Sequence, residues 1–315
     1  MRQVNSKIYD KDYYLHTCLG SELYKKSKGK ELTQKWKNIL KLIKIKQGDK
    51  ILDLGCGRGD VCFYLAREGA FVTGVDYSKD AIDLANGALK SMPEQIKRST
   101  HFIKQDAKKI NFPKDTFDVV ICLDVFEHLY DEELKIVLNN ISKILKENGI
   151  LVVHTETNKI YQDYTHKFYV FPLSTLLIKI NKYIFGKSYA GPPKDPRNEF
   201  HKMQHVNEPT IFYLRSLFKK NLFEGEITSV IGVLKPVLSW KDLIYNILAC
   251  AYPFCLFFPL NIFFATEYIC IMKNKKASHN LSPSFRIWNN ISNLFRLDFS
   301  SCVNPPNSIS YKKDS

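Results

Sequence analysis

The 315-residue sequence predicts an α/β fold built on a doubly wound, mainly parallel sheet. Between residues 50 and 157, short apolar runs alternate regularly with amphipathic stretches, as in consecutive strand–helix–strand units. A glycine-rich turn follows the first of these runs, and open α/β sheets bind ligands beyond the carboxyl ends of their strands. The composition, 45% hydrophobic and 25% charged, is that of an ordinary globular protein.

Seven strands are predicted, each from a short apolar run bounded by turn residues. They cover Lys50–Leu54, Phe71–Val75, His101–Gln105, Phe117–Leu123, Ile150–Thr155, Gly225–Gly232 and Thr266–Met272. Helices are predicted from residues with helical spacing or from helix end signals. They cover 61–66, 79–90 with Ser78 as N-cap, 131–146 ended by Asn148-Gly149, and 207–223.

The rest of the chain divides into less regular parts. Residues 1–46 are predicted to form an N-terminal helical segment, because apolar residues recur at helical spacing from Leu23 to Ile43. Residues 47–276 form the α/β domain, with an irregular helical cap inserted at about 158–210. The polar stretch 277–315 is predicted to be a largely disordered tail, with a short helix near 285–295.

The net charge indicates which binding partners the protein has, and the spacing of the cysteines indicates whether they form a metal or redox centre. The net charge of +14 favours a polyanionic partner or an anionic membrane surface, although a lysine-rich solvated surface also explains it. None of the eight cysteines forms a CxxC pair, which disfavours a metal or redox centre based on thiols. The start of the chain has no apolar run of signal-peptide length, so we expect a cytoplasmic location.

The glycine-rich turn is the strongest functional signal. It reads Asp53-Leu-Gly55-Cys-Gly57-Arg-Gly59, and a second acid, Asp76, ends the next strand. Glycines allow the backbone to bend sharply and to approach a ligand closely. A dinucleotide site would need G-x-G-x-x-G to hold a pyrophosphate. Here a carboxylate precedes the turn, which suits a cationic ligand better.

This pattern resembles motif I, D-x-G-x-G-x-G, of the class I S-adenosylmethionine-dependent methyltransferases. The resemblance implies a seven-stranded Rossmann-like methyltransferase sheet, an enzyme, and S-adenosylmethionine as its cofactor. In that family the turn faces the methionine moiety, the acid after the second strand binds the ribose, and the residues after the third strand read the adenine. The cofactor residues implied are Asp53, Gly55, Cys56, Gly57, Gly59, Asp76, Tyr77, Asp106, Ala107 and Leu123.

The run from Asp124 to Leu129 resembles the "type 11" and ubiquinone-biosynthesis O-methyltransferases. Its Glu127 and His128, together with His205 downstream, are the candidate catalytic residues, since an imidazole can accept a proton near neutral pH. A metal is a second interpretation: Asp124, Glu127, His128 and His205 offer both carboxylates, which suit Mg²⁺, and imidazoles, which suit softer ions. In a third interpretation, Glu127 and His128 have no chemical role and only support the helix that follows them.

Two apolar stretches give information about the molecule that would accept the methyl group. Residues 243–266 are 24 long and uncharged, and 168–185 form a second apolar run. The first is either buried core or an in-plane or re-entrant membrane element. We expect O-methylation of a small, lipid-like or cell-envelope glycan acceptor, with peripheral contact at the cytoplasmic face of a membrane. Two alternatives stay open: an RNA ribose methyltransferase, although nucleic acid is the less favoured partner, and a non-catalytic module that retains the fold.

Overall fold

The computed structural model describes residues 4–186, 190–191, 193–232, 234 and 240–275. Its strands are β1 Lys50–Leu54, β2 Phe71–Asp76, β3 Thr100–Lys104, β4 Phe117–Leu123, β5 Leu145–Glu156, β6 Phe223–Val230 and β7 Glu267–Asn274. They form one seven-stranded sheet in the order β3-β2-β1-β4-β5-β7-β6. Strands β1 to β5 pair in parallel, and β7 runs antiparallel to both of its neighbours. The predicted doubly wound, seven-stranded sheet is confirmed.

The α-helices connect and cover these strands. They are α1 Ser21–Ser27, α2 Gln34–Leu40, α3 Asp60–Arg67, α4 Lys79–Leu89, α5 Glu94–Ser99, α6 Asp131–Ile144, α7 Phe171–Phe185, α8 Glu199–Gln204, α9 Ile211–Lys220, α10 Trp240–Cys250 and α11 Leu260–Phe264. Ser78 caps α4 as predicted, because its side chain accepts a hydrogen bond from the backbone amide of Ala81 at 3.2 Å.

Strand alternation produces two cores, one on each face of the sheet. Along β1, Ile51 belongs to the core beneath α2, α3 and α4, whereas Leu52 and Leu54 belong to the core beneath α6 and α9. Both cores are fully apolar at their centres, as expected of a sheet covered on both faces by helices. The sheet is therefore a rigid platform for the loops at its edges.

Three element predictions need correction. The helical spacing of residues 21–46 corresponds to two helices, because Lys28 and Gly29 both have left-handed backbones (φ 53° and 77°) that end α1. Helix α6 ends at Ile144, before Asn148-Gly149, and β5 begins at once with Leu145 paired to Phe117. Helix α5 was not predicted.

Two predictions are not tested by the structure. The tail at 277–315, with its short helix, lies outside the described residues, and the division into domains stays a prediction.

The cap is more regular than its sequence indicated. Residues Tyr161–Val170 form a π-helix that continues directly into α7, and α8 follows before the chain returns to the sheet.

The uncharged stretch 243–266 is divided between α10, a short 3₁₀ turn at Phe254–Leu256, and α11. Within the described part of the chain, no helix combines the length and the apolar character needed to cross a bilayer.

The carboxyl edge of the sheet gathers the candidate residues. Strands β1, β2 and β4 end there at Leu54, Asp76 and Leu123. Strand β5 ends there too, since Glu156 pairs with Glu267, the first residue of the antiparallel β7. The loops that leave this edge therefore form one continuous surface above the sheet.

Candidate functional site

A tight turn at the end of β1 forms the floor of the site. Gly55 has φ 85°, and the backbone amides of Gly55 and Cys56 both donate to the carbonyl of Val75, at 2.7 and 3.1 Å. A Cβ added to Gly55 would lie 2.5 Å from Cγ2 of Val125, and one added to Gly57 would lie 3.2 Å from the Tyr14 ring. Side chains at these two positions would obstruct the space above the turn.

Asp76 stabilises this turn from the neighbouring strand. It is 5% exposed, and its carboxylate accepts hydrogen bonds from the backbone amides of Gly57 at 3.0 Å and Ser78 at 2.8 Å. Burial raises the pKa of Asp76 to about 6 in spite of these bonds. The carboxylate thus holds the shape of the turn while it also lines the cavity above it.

Asp53 is the second buried acid at the turn. Its carboxylate accepts a hydrogen bond from the Cys62 thiol at 3.2 Å, and burial raises its pKa to about 7. A cation beside such a carboxyl group lowers its pKa and so favours the charged form at neutral pH. The residue is therefore suited to contact a positively charged group of a ligand.

The turn opens into a cleft of about 210 Å³ that is partly open to solvent. The described residues that line it include five aspartates and one arginine, but no lysine: Asp53, Asp60, Asp76, Asp106, Asp124 and Arg58. The arginine is fully engaged with protein groups, as described below. In a chain of net charge +14, this acidic lining favours a cationic ligand and disfavours a pyrophosphate.

One wall of the cleft is formed by an N-terminal cover, residues 4–20, which the sequence did not indicate. Tyr9, Tyr13 and Tyr14 of this cover all line the cleft. The ring of Tyr9 lies 5.7 Å from that of Tyr77, and its carbonyl accepts a hydrogen bond from the Ser78 hydroxyl at 2.6 Å. The dense tyrosines at 9–14 were the available signal, but their partners are distant in sequence.

Arg58 fastens this cover to the turn. Its guanidinium donates to the carbonyls of Tyr14 at 2.5 Å and Leu19 at 2.8 Å, and it bonds the Asp60 carboxylate at 3.1 Å. The same group stacks over the Tyr24 ring at 4.7 Å. The side chain is 4% exposed, so a residue inside the glycine motif determines where the cover lies.

A second wall follows β2 and β3 and adjoins the cover at Tyr77. Tyr77, Asp106 and Ala107 all line the cleft. Asp106 accepts a hydrogen bond from the backbone amide of Lys108 at 2.9 Å, and the ammonium of that lysine lies 3.4 Å from its other oxygen. Its carboxylate is therefore fixed in position at the end of β3.

The candidate catalytic residues come together beside the cleft, but only His128 lines it. The His128 ring lies 5.0 Å from the His205 ring, and His205 is stacked on His201 at 4.9 Å. Burial lowers the pKa of His128, and burial with the neighbouring imidazoles lowers that of His205 to about 3. Both rings are consequently neutral at physiological pH.

Glu127 lies beneath these histidines. It is 1% exposed and accepts a hydrogen bond from the Thr155 hydroxyl at 2.9 Å. Burial, together with the nearby Asp124 carboxylate, raises its pKa to about 8, so the group is mostly protonated at neutral pH. Glu127 is therefore a supporting residue by position, separated from the cleft by its burial.

The four residues considered for a metal do not form one set. Glu127, His128 and His205 bring potential ligand atoms within 4.8 Å of one another. Two imidazoles and one carboxylate suit borderline transition metals better than Mg²⁺, which prefers oxygen ligands. Asp124 points elsewhere, because its carboxylate bonds the His154 ring at 2.5 Å.

Asp124 belongs to a buried chain of charges that the sequence did not indicate. His154, fully buried in β5, contacts Asp124 through Nδ1 and Glu267 through Nε2, the latter at 2.9 Å. Lys35 of α2 reaches Glu267 at 3.2 Å and Glu156 at 2.7 Å. Burial and Lys35 lower the pKa of His154, but the two carboxylates outweigh them and raise it to about 9. This chain links the N-terminal helices to the residue that follows β4.

The predicted cofactor residues lie together with one exception. Gly59 does not line the cleft; it precedes α3 with φ 84°, and a Cβ there would lie 2.6 Å from the Phe102 ring. Its role is to let α3 pack closely on β3. The other nine line the cleft: Asp53, Gly55, Cys56, Gly57, Asp76, Tyr77, Asp106, Ala107 and Leu123.

Comparison with known proteins identifies relatives of this domain. A family model described as a methyltransferase domain matches residues 45–185. The ubiquinone biosynthesis O-methyltransferase of Coxiella burnetii is 33% identical over 131 residues, which are 40% of this chain and 53% of that protein. Residues 45–185 thus match a methyltransferase domain, and these similarities support a class I S-adenosylmethionine-dependent methyltransferase.

Other methyltransferases resemble the chain more broadly. The phosphoethanolamine N-methyltransferase of Plasmodium falciparum is 28% identical over 182 residues, covering 57% of this chain and 65% of that protein. The structure of an S-adenosylmethionine-dependent methyltransferase from Mesorhizobium loti shares the fold, with a TM-score of 0.50, 16% identity, and coverage of 77% of this chain and 98% of that one. The chain spans about half the length of the ubiquinone-biosynthesis relatives it matches.

The described residues fit the cofactor that a class I methyltransferase implies. S-adenosylmethionine carries a sulfonium and an ammonium, and the cleft offers aspartates whose raised pKa values respond to a nearby cation. The turn at Gly55 and Gly57 leaves open the space that side chains there would obstruct. Asp53 and this turn remain the predicted contacts of the methionine moiety, Asp76 that of the ribose, and Tyr77 and Asp106 those of the adenine.

Proposed function

We propose that the chain transfers the methyl group of S-adenosylmethionine to a hydroxyl oxygen of a small amphipathic acceptor, either lipid-like or a cell-envelope glycan. The observation that carries this proposal is His128, a neutral imidazole on the wall of the cofactor cleft. A hydroxyl is a weak nucleophile at neutral pH and gains from a base that removes its proton as it reacts.

The hydrogen bonding of His128 favours the basic tautomer. Its Nδ1 lies 3.2 Å from the carbonyl oxygen of Gln204. Because a carbonyl oxygen only accepts, Nδ1 carries the hydrogen and Nε2 is left as the acceptor. The bound cofactor supplies a methyl group already activated on its sulfonium. The protein then has two tasks, to hold the acceptor hydroxyl in line with that methyl group and to receive the proton on His128.

The comparisons support oxygen as the acceptor atom. Several relatives are named ubiquinone biosynthesis O-methyltransferases, and each of these matches spans only 34–40% of the chain. The nature of the acceptor therefore has to be inferred from the residues of the cap. Its aromatic and aliphatic surface suits an acceptor with an apolar part.

The first test is to identify what is methylated. The full chain is incubated with methyl-labelled S-adenosylmethionine and, separately, with total lipid, envelope glycan and total RNA. Mass spectrometry of the labelled product then distinguishes a methyl ether from a methylamine. Label in an ether of the lipid or glycan fraction supports the proposal. Label confined to RNA or to an amine contradicts it, as does an absence of transfer when the cofactor binds.

The second test concerns His128. We expect His128→Asn to lower kcat by about 10²- to 10⁴-fold while cofactor affinity measured by calorimetry stays within about twofold. The wild-type rate should rise with pH through a value below 6.5, where the imidazole loses its proton, and the variant should lack this rise. His101→Asn, at an exposed position on β3, is the control. Unchanged kcat in His128→Asn would exclude the imidazole as the base.

A chelator separates the base from the metal interpretation. If His128 acts as a base, the rate should persist after treatment with EDTA and desalting. Loss of the rate, with recovery on addition of Mn²⁺ or Zn²⁺, would instead assign Glu127, His128 and His205 to a metal. Recovery with Mg²⁺ alone would favour oxygen ligands, which this cluster supplies only through Glu127.

A further inference from the structure

Two segments of the chain present large apolar side chains to solvent. On α7, Tyr183 is 92% exposed, and on the loop before α11, Phe258 is 77% exposed. We call the whole set the cap face. It consists of Phe168, Leu176, Ile180, Tyr183, Ile184, Trp240, Ile244, Ile247, Phe254, Phe257, Phe258, Leu260 and Phe263. Large apolar side chains that are exposed together on a protein surface mark interaction sites.

The two segments are packed together. Helix α7 contacts α10. Just before α7, the hydroxyl of Tyr169 donates to the carbonyl of Leu248 at 2.9 Å, and its ring meets that of Phe264 edge-on at 5.4 Å. Beneath them lies a small core of their own, formed by Ile231, Cys250, Cys255 and Phe264. The sequence left open whether residues 243–266 are buried core. Only the side of this stretch that carries Cys250, Cys255 and Phe264 is buried in this way.

Most of the cap face carries charge of one sign. The stretches 164–186 and 243–266 contain no aspartate or glutamate, and beside Trp240 the sequence has one charge of each sign, Lys241 and Asp242. Lys167, Lys179 and Lys182 are all exposed beside the apolar side chains. Asp163, at the border, is held by Arg197 at 2.5 Å. Aromatic side chains flanked by lysines are typical of surfaces that lie in the interface of an anionic bilayer.

The position of the cap face connects it to the cofactor cleft. Both segments leave the sheet at its carboxyl edge, one after β5 and the other before β7. On the inner side, Thr157 contacts the His205 ring at 3.2 Å, and His205 lies against His128. An acceptor held in a bilayer under the cap face would thus lie at the same edge of the sheet as the reactive centre.

We infer that the cap face docks in the plane of an anionic lipid bilayer. The aromatic side chains enter the headgroup region, and Lys167, Lys179 and Lys182 contact the anionic headgroups. This inference rests on the proposed function in one respect, that a lipid-like acceptor is delivered from the bilayer. The docking itself is a property of the surface and is tested separately.

The test measures sedimentation of the full chain with vesicles of phosphatidylcholine alone or with 30% phosphatidylglycerol. We expect binding to the anionic vesicles, weakened at high salt because the lysine contribution is screened. Each lysine near an anionic surface contributes about fivefold, so the charge reversal K179E/K182E should weaken binding by about 25-fold or more. Replacing Phe254, Phe257 and Phe258 together by serine should weaken it at least about tenfold.

Matched controls lie at the opposite edge of the sheet. Phe71 is 55% exposed at the start of β2, and Lys219 and Lys220 are exposed just before β6. F71S and K219E/K220E should bind vesicles as the wild type does. Every variant is first checked for an unchanged melting temperature and cofactor affinity.

Each outcome decides a separate question. Loss of vesicle binding in the cap-face variants alone supports docking. Absence of binding by the wild type, or equal losses in the controls, overturns it. A stable dimer in light scattering that dissociates in the phenylalanine variants assigns the face to a second copy and also overturns it. Vesicle binding without methyl transfer to any lipid or glycan refutes the proposed function but leaves the docking intact.

Discussion

Replacing Lys35 by methionine would remove the cation at the end of the buried charge chain. The ammonium of Lys35 is 4% exposed and lies 2.7 Å from Glu156 and 3.2 Å from Glu267. Methionine retains the apolar stem of the side chain and its packing. The substitution therefore isolates the electrostatic contribution, since it removes the ammonium from Glu156 and Glu267 and leaves His154 beside Glu267.

The expected cost follows from the burial of the partners. Breaking a buried ion pair by removing one partner costs about 3–5 kcal/mol, because the other charge stays desolvated. Glu267 is 17% exposed and Glu156 is 35% exposed, so water can solvate the latter in part. We therefore expect the lower value, about 3 kcal/mol, or a fall in melting temperature of about 6–12 °C for a domain of this size.

Urea unfolding and thermal melts at pH 7 measure this effect, with Lys146→Met as the control. The ammonium of Lys146 bonds Asp118 at 2.8 and 2.9 Å, but the two side chains are 42% and 29% exposed. An exposed pair contributes about 1 kcal/mol at most. Equal destabilisation by the two variants would refute the argument that burial of the charge chain makes Lys35 important.

Three further predictions concern the cleft. Gly55→Ala should weaken cofactor binding at least about tenfold in calorimetry, because the added Cβ would meet Val125 and a φ of 85° disfavours a side chain. Gly87→Ala is the control: this position lies in open space on α4, and the substitution should leave cofactor binding unchanged. Arg58→Ala should raise the cofactor dissociation rate about tenfold in stopped-flow measurements, since the N-terminal cover loses its bonds, and an unchanged rate would contradict this. Glu127 has a pKa of about 8 in the folded chain, raised from 4.5, so its contribution to stability is complete below pH 4.5 and is lost as the pH rises through 8. Glu127→Gln should therefore match the wild type below pH 4.5 and exceed its unfolding free energy by roughly 5 kcal/mol above pH 8, and parallel pH curves would contradict the assignment.

The sheet could be predicted from the sequence because its strands are short apolar runs with local boundaries. The start of β5 could not, since Lys146, Glu147 and Asn148 carry no strand pattern and lie in the irregularity between the Leu145–Phe117 and Ile150–Val119 pairs. The β-bridge between Phe117 and Leu145 precedes a register shift, which no local preference encodes.

The floor of the site could also be predicted, whereas its walls could not. Glycines and acids at strand ends have fixed consequences for backbone shape and charge, so Asp53 and Asp76 were identifiable. The N-terminal cover depends on Arg58 binding carbonyls 39 and 44 residues away. The pairing of His154 with Glu267 spans 113 residues. Contacts between residues so far apart in sequence form only when the chain folds, so no local pattern predicts them.

The distribution of charge bears on the choice between a lipid-like acceptor and RNA. An RNA methyltransferase would be expected to line its cleft with lysines and arginines that contact phosphates. Among the described residues the cleft is acidic, and Arg58 is engaged by backbone carbonyls and Asp60. The exposed lysines of the cap instead stand beside Tyr183 and Phe168, where a phosphate contact would leave an apolar surface unburied. A bilayer satisfies both the positive charge and the apolar surface at once, which is why the net charge of +14 favours a membrane here.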